Sequence, residues 1–349
     1  MHCSKKLPSI KTGYIGPGSL IMGREEPPPP ARVRYVRRTK CEAKMKRTSP
    51  WNRLSLTKKE AIFGYLFILP WLIGFVALRL GPMIASFFLS FTEYAIISSP
   101  HFIGLANFVK MFTNDPSFLD SLRVTLTYAI FAIPIGMVIS LAIAMLLNQK
   151  VPGVTVWRTI YYLPSVVSGV AVSTLWVWLF HSQFGQINLA LGAIGIQGPA
   201  WLRDPDWALI ALIIMSFWSI GGGMVINLAG LQGIPTELYE AASIDGANAW
   251  NRFWRVTIPM LSPVLFFNLI MGVIDTFQYF TNAYVMTNGG PGRSTLFYNL
   301  YLFQNAFRYY KMGYASALAW VMFLIILVLT LTIFKSSPYW VYYEGLRKR

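Results

Sequence analysis

Between Leu231 and Pro263 the chain reads LQGIPTELYEAASIDGANAWNRFWRVTIPMLSP, a polar stretch of helical pattern between two long apolar segments. Glu237 and Glu240 stand three residues apart. Leu238, Ala241, Ala242 and Asp245 follow at i, i+3, i+4 and i+7, which on a helix makes one face of small residues that another protein can approach closely. Gly246 is placed to stop that helix. A second helical run with Trp250, Phe253 and Trp254 precedes Pro259 and Pro263, which lead into the next apolar segment. A loop that only reverses the chain needs far fewer residues, so this one reads as a docking element. An amphipathic helix resting on a membrane surface is the plainer alternative.

Composition sets the surroundings of that loop. The 349 residues are 55% hydrophobic and 13% charged, with a mean hydropathy of +0.48. Soluble domains carry about 25% charged residues, so this is the composition of a membrane protein. The net charge of +16 is not spread evenly: residues 1–60 hold 15 Lys/Arg against 4 Asp/Glu. Such a basic tail ahead of a first membrane segment fits the positive-inside bias, and no nucleic-acid partner is expected. The only cysteines, Cys3 and Cys41, lie in the tail, so neither a disulfide nor a thiolate metal site organises the core.

Six apolar segments follow, each matching the ~20 residues that cross a bilayer as a helix. They are residues 61–80 (extendable to 91), 122–147, 160–180, 207–231, 264–287 and 314–334. Their hydrophobicity is continuous rather than alternating, which excludes a membrane β-barrel. Pro70, Pro134 and Pro164 are tolerable inside such helices when neighbours satisfy the freed carbonyls. The expected fold is an all-α membrane protein with six transmembrane helices and a disordered N-terminal tail. Its expected divisions are a basic cytoplasmic tail at 1–56, a membrane domain at 57–335 containing the loop 231–263, and a short basic C-terminus at 336–349. With both termini inside, 23 Lys/Arg face the cytoplasm and 7 face out; counted from Met45 the ratio is 13 to 7.

Catalytic signatures are lacking. His2, His101 and His181 are the only histidines, and none has metal-ligand spacing. Gly289–Thr295 looks superficially like a phosphate-binding loop but lacks the G-x-x-x-x-G-K-[ST] spacing, so it reads as a tight turn. No other segment supplies that motif. No enzyme activity, metal or cofactor is expected of this chain. Within the fifth segment, Asp275, Gln278, Tyr279 and Asn282 recur at i, i+3, i+4 and i+7. An ionised Asp costs about 2.5–3.5 kcal/mol at the bilayer centre, so it should face a wet cavity or the bundle interior. Carboxylate, amide and phenol suit sugar hydroxyls; bonding between helices is the plainer reading. The fourth segment adds Ser216, Ser219, Gly223 and Asn227, beside Trp218 and Gly222, and Gly221-Gly222-Gly223 also reads as a packing notch.

The run Glu240-Ala241-Ala242-Ser243-Ile244-Asp245-Gly246, continuing to Ile258-Pro259, resembles the EAA loop of ABC-importer permease subunits, whose short helix fits a cleft on a cytoplasmic ATPase. Phe102-Ile103-Gly104-Leu105-Ala106-Asn107-Phe108, Trp201-Leu202, Thr287-Asn288-Gly289-Gly290-Pro291-Gly292 and Met312-Gly313-Tyr314-Ala315-Ser316-Ala317 are similar to landmarks of the sugar-permease branch. The resemblance covers residues 57–335. It implies a type I ABC importer permease fold in the cell membrane and import of an oligosaccharide, polyol or sugar phosphate. It also implies a second permease subunit, two ATPase subunits that use the ATP, and an extracellular or periplasmic substrate-binding protein. By position it points to Glu237, Glu240, Ala241, Ala242, Asp245 and Gly246 for coupling, and to Trp218, Ser219, Gly222, Gln278 and Tyr279 for substrate; Asp275 has no counterpart in it. Because Met45 opens a complete permease start, residues 1–44 are expected to be dispensable or to precede the native start. An ion-coupled secondary transporter is the rival reading, weakened by the single intramembrane charge at Asp275 and the lack of an internal repeat.

Overall fold

A computed structural model describes residues 55–149 and 152–342 of the chain. The basic tail with its Met45 start, Lys150, and the terminal Arg347, Lys348 and Arg349 lie outside the described residues. The chain falls into two compact units, 1–66 and 67–349. The described part of the first is a single helical stretch, and the second holds the remaining helices.

Among the described residues, four helices are long and apolar enough to cross a membrane: Leu56–Leu89, Pro116–Leu147, Ala249–Met286 and Met312–Trp340. They are the first, second, fifth and sixth of the expected spans. The third and fourth are bent pairs, Val154–Val166 with Gly169–Leu179 at 97° and Pro205–Ser219 with Gly221–Gln232 at 46°. Counting each pair once gives six spans. The straight helix expected over residues 160–180 is thus corrected to a broken one. Pro164 donates no backbone hydrogen bond, and the chain passes through a 3₁₀ turn at Leu163–Val166 into extended backbone at Val167 and Ser168.

Gly221 explains how the two breaks meet. A Cβ there would lie 2.6 Å from the carbonyl oxygen of Tyr161 and 2.9 Å from the Tyr162 Cα, so only glycine admits this approach of backbones.

Helix ends follow capping chemistry. Asp115 starts the second span six residues earlier than its apolar run: its Oδ1 accepts from the backbone N–H of Ser117 at 3.0 Å, with Pro116 in the first turn. The fifth span begins at Ala249, where Asn248 accepts from Asn251 N at 2.8 Å. A π-helical turn at Phe253–Thr257 then carries the helix into Pro259, so Pro259 and Pro263 lie within the span rather than ahead of it. The sixth span runs past residue 334 to Trp340, because Trp340 packs edge-on against Phe266 and Tyr342 N donates to Ser262 Oγ at 2.8 Å.

Two buried clusters hold the spans together. One is aromatic, with Phe118, Tyr128, Phe180, Phe297 and Tyr298 at its centre. The other is aliphatic and joins Leu141, Met224, Leu228, Leu231 and Leu261 from the second, fourth and fifth spans. No residue of Leu56–Leu89 is buried, as suits a helix whose solvent is lipid. A small hairpin pairs Thr92 with Phe102 and Glu93 with His101. Asn107 ties it down, donating to the carbonyls of Ser90 and Thr92, each at 2.9 Å.

Candidate functional site

A cavity of about 480 Å3 opens between the second, fourth and fifth spans. The second contributes Tyr128, Gly136 and Ser140; the fourth, Ser216, Gly222 and Gly223; the fifth, Asn268, Gly272, Asp275, Thr276 and Tyr279. On the fifth span Asn268, Gly272 and Asp275 stand at i, i+4 and i+7, one face of a helix, and Tyr279 joins them from the non-helical stretch after Phe277.

The row expected from the sequence, Asp275, Gln278, Tyr279 and Asn282, spans a break in the helix. The helix stops at Phe277 and resumes only at Thr281, so Gln278 and Asn282 do not continue the row. Gln278 is exposed and its carbonyl accepts from Asn299 Nδ2 at 3.0 Å. Asn282 accepts from Ser173 Oγ at 3.0 Å, which ties the fifth span to the third. Neither lines the cavity, nor do Trp218 and Ser219. The Trp218 ring instead meets Trp176 edge-on, with centroids 6.1 Å apart. Of the substrate residues expected, Gly222, Asp275 and Tyr279 come together.

Asn268 and Ser140 were missed; for Asn268 the signal was the same spacing read upstream of Asp275, while Ser140 lies on another span. They belong to a chain of hydrogen bonds through Asn227, which is fully buried. Asn227 Nδ2 donates to Ser140 Oγ at 3.1 Å, and its Oδ1 accepts from Asn268 Nδ2 at 2.9 Å. One amide thereby fixes three spans around the cavity wall. Beside it the Tyr279 ring is held by Tyr128 and Phe297, with centroids 4.8 and 4.7 Å away, and its hydroxyl is buried beside Tyr128 and Asn282. Asp275 forms no ion pair among the described residues. The wall therefore offers a carboxylate, an amide and the hydroxyl-bearing Ser140, Ser216 and Thr276 in a largely apolar cleft, a set suited to a polyhydroxylated ligand. Among the described residues no three His, Cys, Asp or Glu gather as a metal site.

The loop between the fourth and fifth spans carries a helix at Thr236–Ile244. Gly246, at φ +77°, closes it with the reversed bonds of a left-handed cap, Gly246 N to Ser243 O at 3.1 Å and Ala247 N to Ala242 O at 2.9 Å. Its inner side is anchored: Tyr239 Oη lies 3.0 Å from Thr257 Oγ1, and Arg252 donates to Ser243 Oγ at 3.1 Å. Glu237, Glu240, Ala241, Asp245 and Gly246 are exposed, and Ala242 is half-buried. Ile244 is 87% exposed, a bare apolar side chain on a polar loop. The loop thus presents a firmly seated helix whose outer face has no partner among the described residues.

Comparison with known proteins bears on both features. Residues 116–336 match the family model described as "Binding-protein-dependent transport system inner membrane component". The probable ABC transporter permease protein YesP of Bacillus subtilis is 47% identical over 82% of this chain and 94% of its own length. The lactose transport system permease protein LacF of Rhizobium radiobacter is 37% identical, over 82% and 97%. In three dimensions the chain is similar to one in the crystal structure of a bacterial alginate ABC transporter with its pentasaccharide-bound periplasmic protein. That match has a TM-score of 0.72 and 23% identity, and covers 80% of this chain and 96% of that one; it speaks to the fold alone. By the family match and the extent of its relatives, this chain belongs to the binding-protein-dependent transport system inner membrane components, the multi-pass permease subunits of ABC importers.

Proposed function

We propose that the chain is a permease subunit of an ATP-driven importer of a carbohydrate, and that the cavity between its second, fourth and fifth spans is its half of the substrate path. The observation that carries the reading is the cavity wall: Asp275, Asn268 and Ser140 converge in a membrane domain, where polar groups are costly unless used. Lactose, starch-product and trehalose/maltose systems among the relatives support a sugar. The family match leaves no ground for the ion-coupled alternative.

The helix Thr236–Ile244 is the handle by which a separate ATPase moves the spans, through Glu237, Glu240, Ala241, Ala242, Asp245 and Gly246. A second permease subunit closes the open side of the cavity, two ATPase subunits hydrolyse the ATP, and an external binding protein delivers the sugar. Both termini and the loop face the cytoplasm. Coupling is then a difference in docking contacts between two states of the assembly.

Proteoliposomes reconstituted with the partner subunits test this. Glu240→Lys is expected to abolish ATP-dependent sugar uptake while the protein stays folded in the membrane. Uptake at the wild-type rate would remove the coupling role. Asp275→Asn and Asn268→Ala are expected to lower uptake about tenfold or more, as loss of one charge-assisted or buried hydrogen bond does.

A further inference from the structure

At the opposite end of the fifth span from the loop helix, the segment between Thr287 and Lys311 encloses a second cavity of about 450 Å3. It adjoins a third of about 440 Å3, and Asn288, Gln304 and Arg308 stand in the walls of both. None of these residues lines the cavity between the spans.

The backbone around these cavities is unusual. Among the described residues, the non-glycine positions with positive φ are Asn288 at 50°, Arg293 at 68° and Tyr310 at 57°. Each lines one or both cavities. Such conformations persist where their surroundings over-determine them, and they gather at ligand sites. The surroundings here are tightly bonded: Thr295 Oγ1 lies 2.7 Å from both Gly290 O and Thr287 Oγ1, and Lys311 N donates to Asn305 O at 2.8 Å. A π-helical turn at Gln304–Arg308 brings Gln304, Asn305 and Arg308 into the wall. Turns of that kind are rare in general and frequently found at functional sites.

Charge completes the picture. Arg293 is already paired with Asp120 at 3.2 Å. Arg308 and Lys311 are exposed and meet no carboxylate among the described residues, the Lys311 ammonium lying 5.9 Å from the centre of the Tyr309 ring. A turn accounts for the positive φ at Asn288 and Gly289, but not for two cations set in the cavity wall.

We propose that these paired cavities form a binding site for an oxyanion flanked by hydroxyls. Arg308 and Lys311 take the carboxylate or phosphate oxygens, and the amides of Asn288 and Gln304 take neighbouring hydroxyls. Two sources present that chemistry. One is an acidic sugar. The other is the phosphoglycerol headgroup of a membrane lipid, because the site directly precedes the sixth span at Met312. The site is separate from the transport cavity, and its test needs no partner subunit.

The full chain in phosphatidylcholine nanodiscs is titrated calorimetrically with D-glucuronate and with D-glucose. In parallel, nanodiscs containing phosphatidylglycerol are analysed by native mass spectrometry for retained lipid. Glucuronate binding at least about tenfold tighter than glucose, and lost in Arg308→Gln/Lys311→Gln, assigns the site to a sugar acid. Retention of phosphatidylglycerol that falls several-fold in the same variant assigns it to the lipid headgroup. Lys311→Gln alone, at an exposed side chain, is run beside it with the unfolding midpoint of each variant, so that misfolding is recognised. The proposal is overturned if the wild type prefers neither anion over its neutral counterpart, or if the preference survives in a folded variant.

Discussion

Gly221 and Gly222 are adjacent in sequence and opposite in use. A methyl group at Gly221 runs into the third-span backbone at 2.6 Å, whereas at Gly222 it meets nothing within 4 Å and points to open cavity wall. Gly221→Ala is therefore expected to destabilise the purified chain by roughly 1–3 kcal/mol, the range for overpacking against backbone that cannot give way. Gly222→Ala should leave the unfolding midpoint unchanged and alter uptake instead. Equal unfolding curves for both variants would refute the close approach. Asn227 makes a similar case for polar groups: with both ends of its amide bonded, Asn227→Ala should lower stability by about 1–2 kcal/mol in detergent melts. The sequence marked Asn227 as one of several polar residues on the fourth span. Its role as the link between Ser140 and Asn268 depends on which residues of distant spans come into register, and no spacing within one segment reports that.

Among the elements, spans were legible wherever hydrophobic length alone decides, and their ends and bends were not. Asp115 shows why. It stands in a polar run before the apolar stretch, yet it caps the second span and also accepts hydrogen bonds from Tyr301 and Tyr314. Burial first, and then the Asp115 carboxylate, raise the Tyr301 pKa above its ordinary value, so the phenol remains the donor. These partners stand 186 and 199 residues further along the chain, beyond any local pattern. Asp115→Ala removes the cap and strands two hydroxyls, and is expected to cost about 2 kcal/mol or more in thermal unfolding. Asp115→Asn keeps an acceptor and should cost less. If the Ala and Asn variants melt alike, the tyrosine contacts contribute nothing. The loop helix is the opposite case: its small-residue face and its stop at Gly246 were readable, because periodicity and a glycine stop are local. The fifth-span face was half readable, since Asp275 and Tyr279 sit correctly while the break at Gln278 has no breaker residue to announce it.

For the whole molecule the deciding quantity is which end of the bundle faces the cytoplasm. The excess of Lys/Arg predicts the loop helix inward and the Thr287–Lys311 segment outward, and the proposed ATPase handle needs the inner side. Single cysteines test the assignment once Cys3 and Cys41 are replaced by serine. Ile97 is 92% exposed in the connection between the first two spans, and Ile244 is 87% exposed on the loop helix. In intact cells a membrane-impermeant maleimide should label Ile97→Cys and spare Ile244→Cys; in opened membranes it should label both. Addition of the ATPase subunits should then protect Ile244→Cys and leave Ile97→Cys reactive, because a motor gripping the handle covers its bare apolar side chain. Labelling of Ile244→Cys in intact cells would turn the molecule over, placing the loop where no ATPase works.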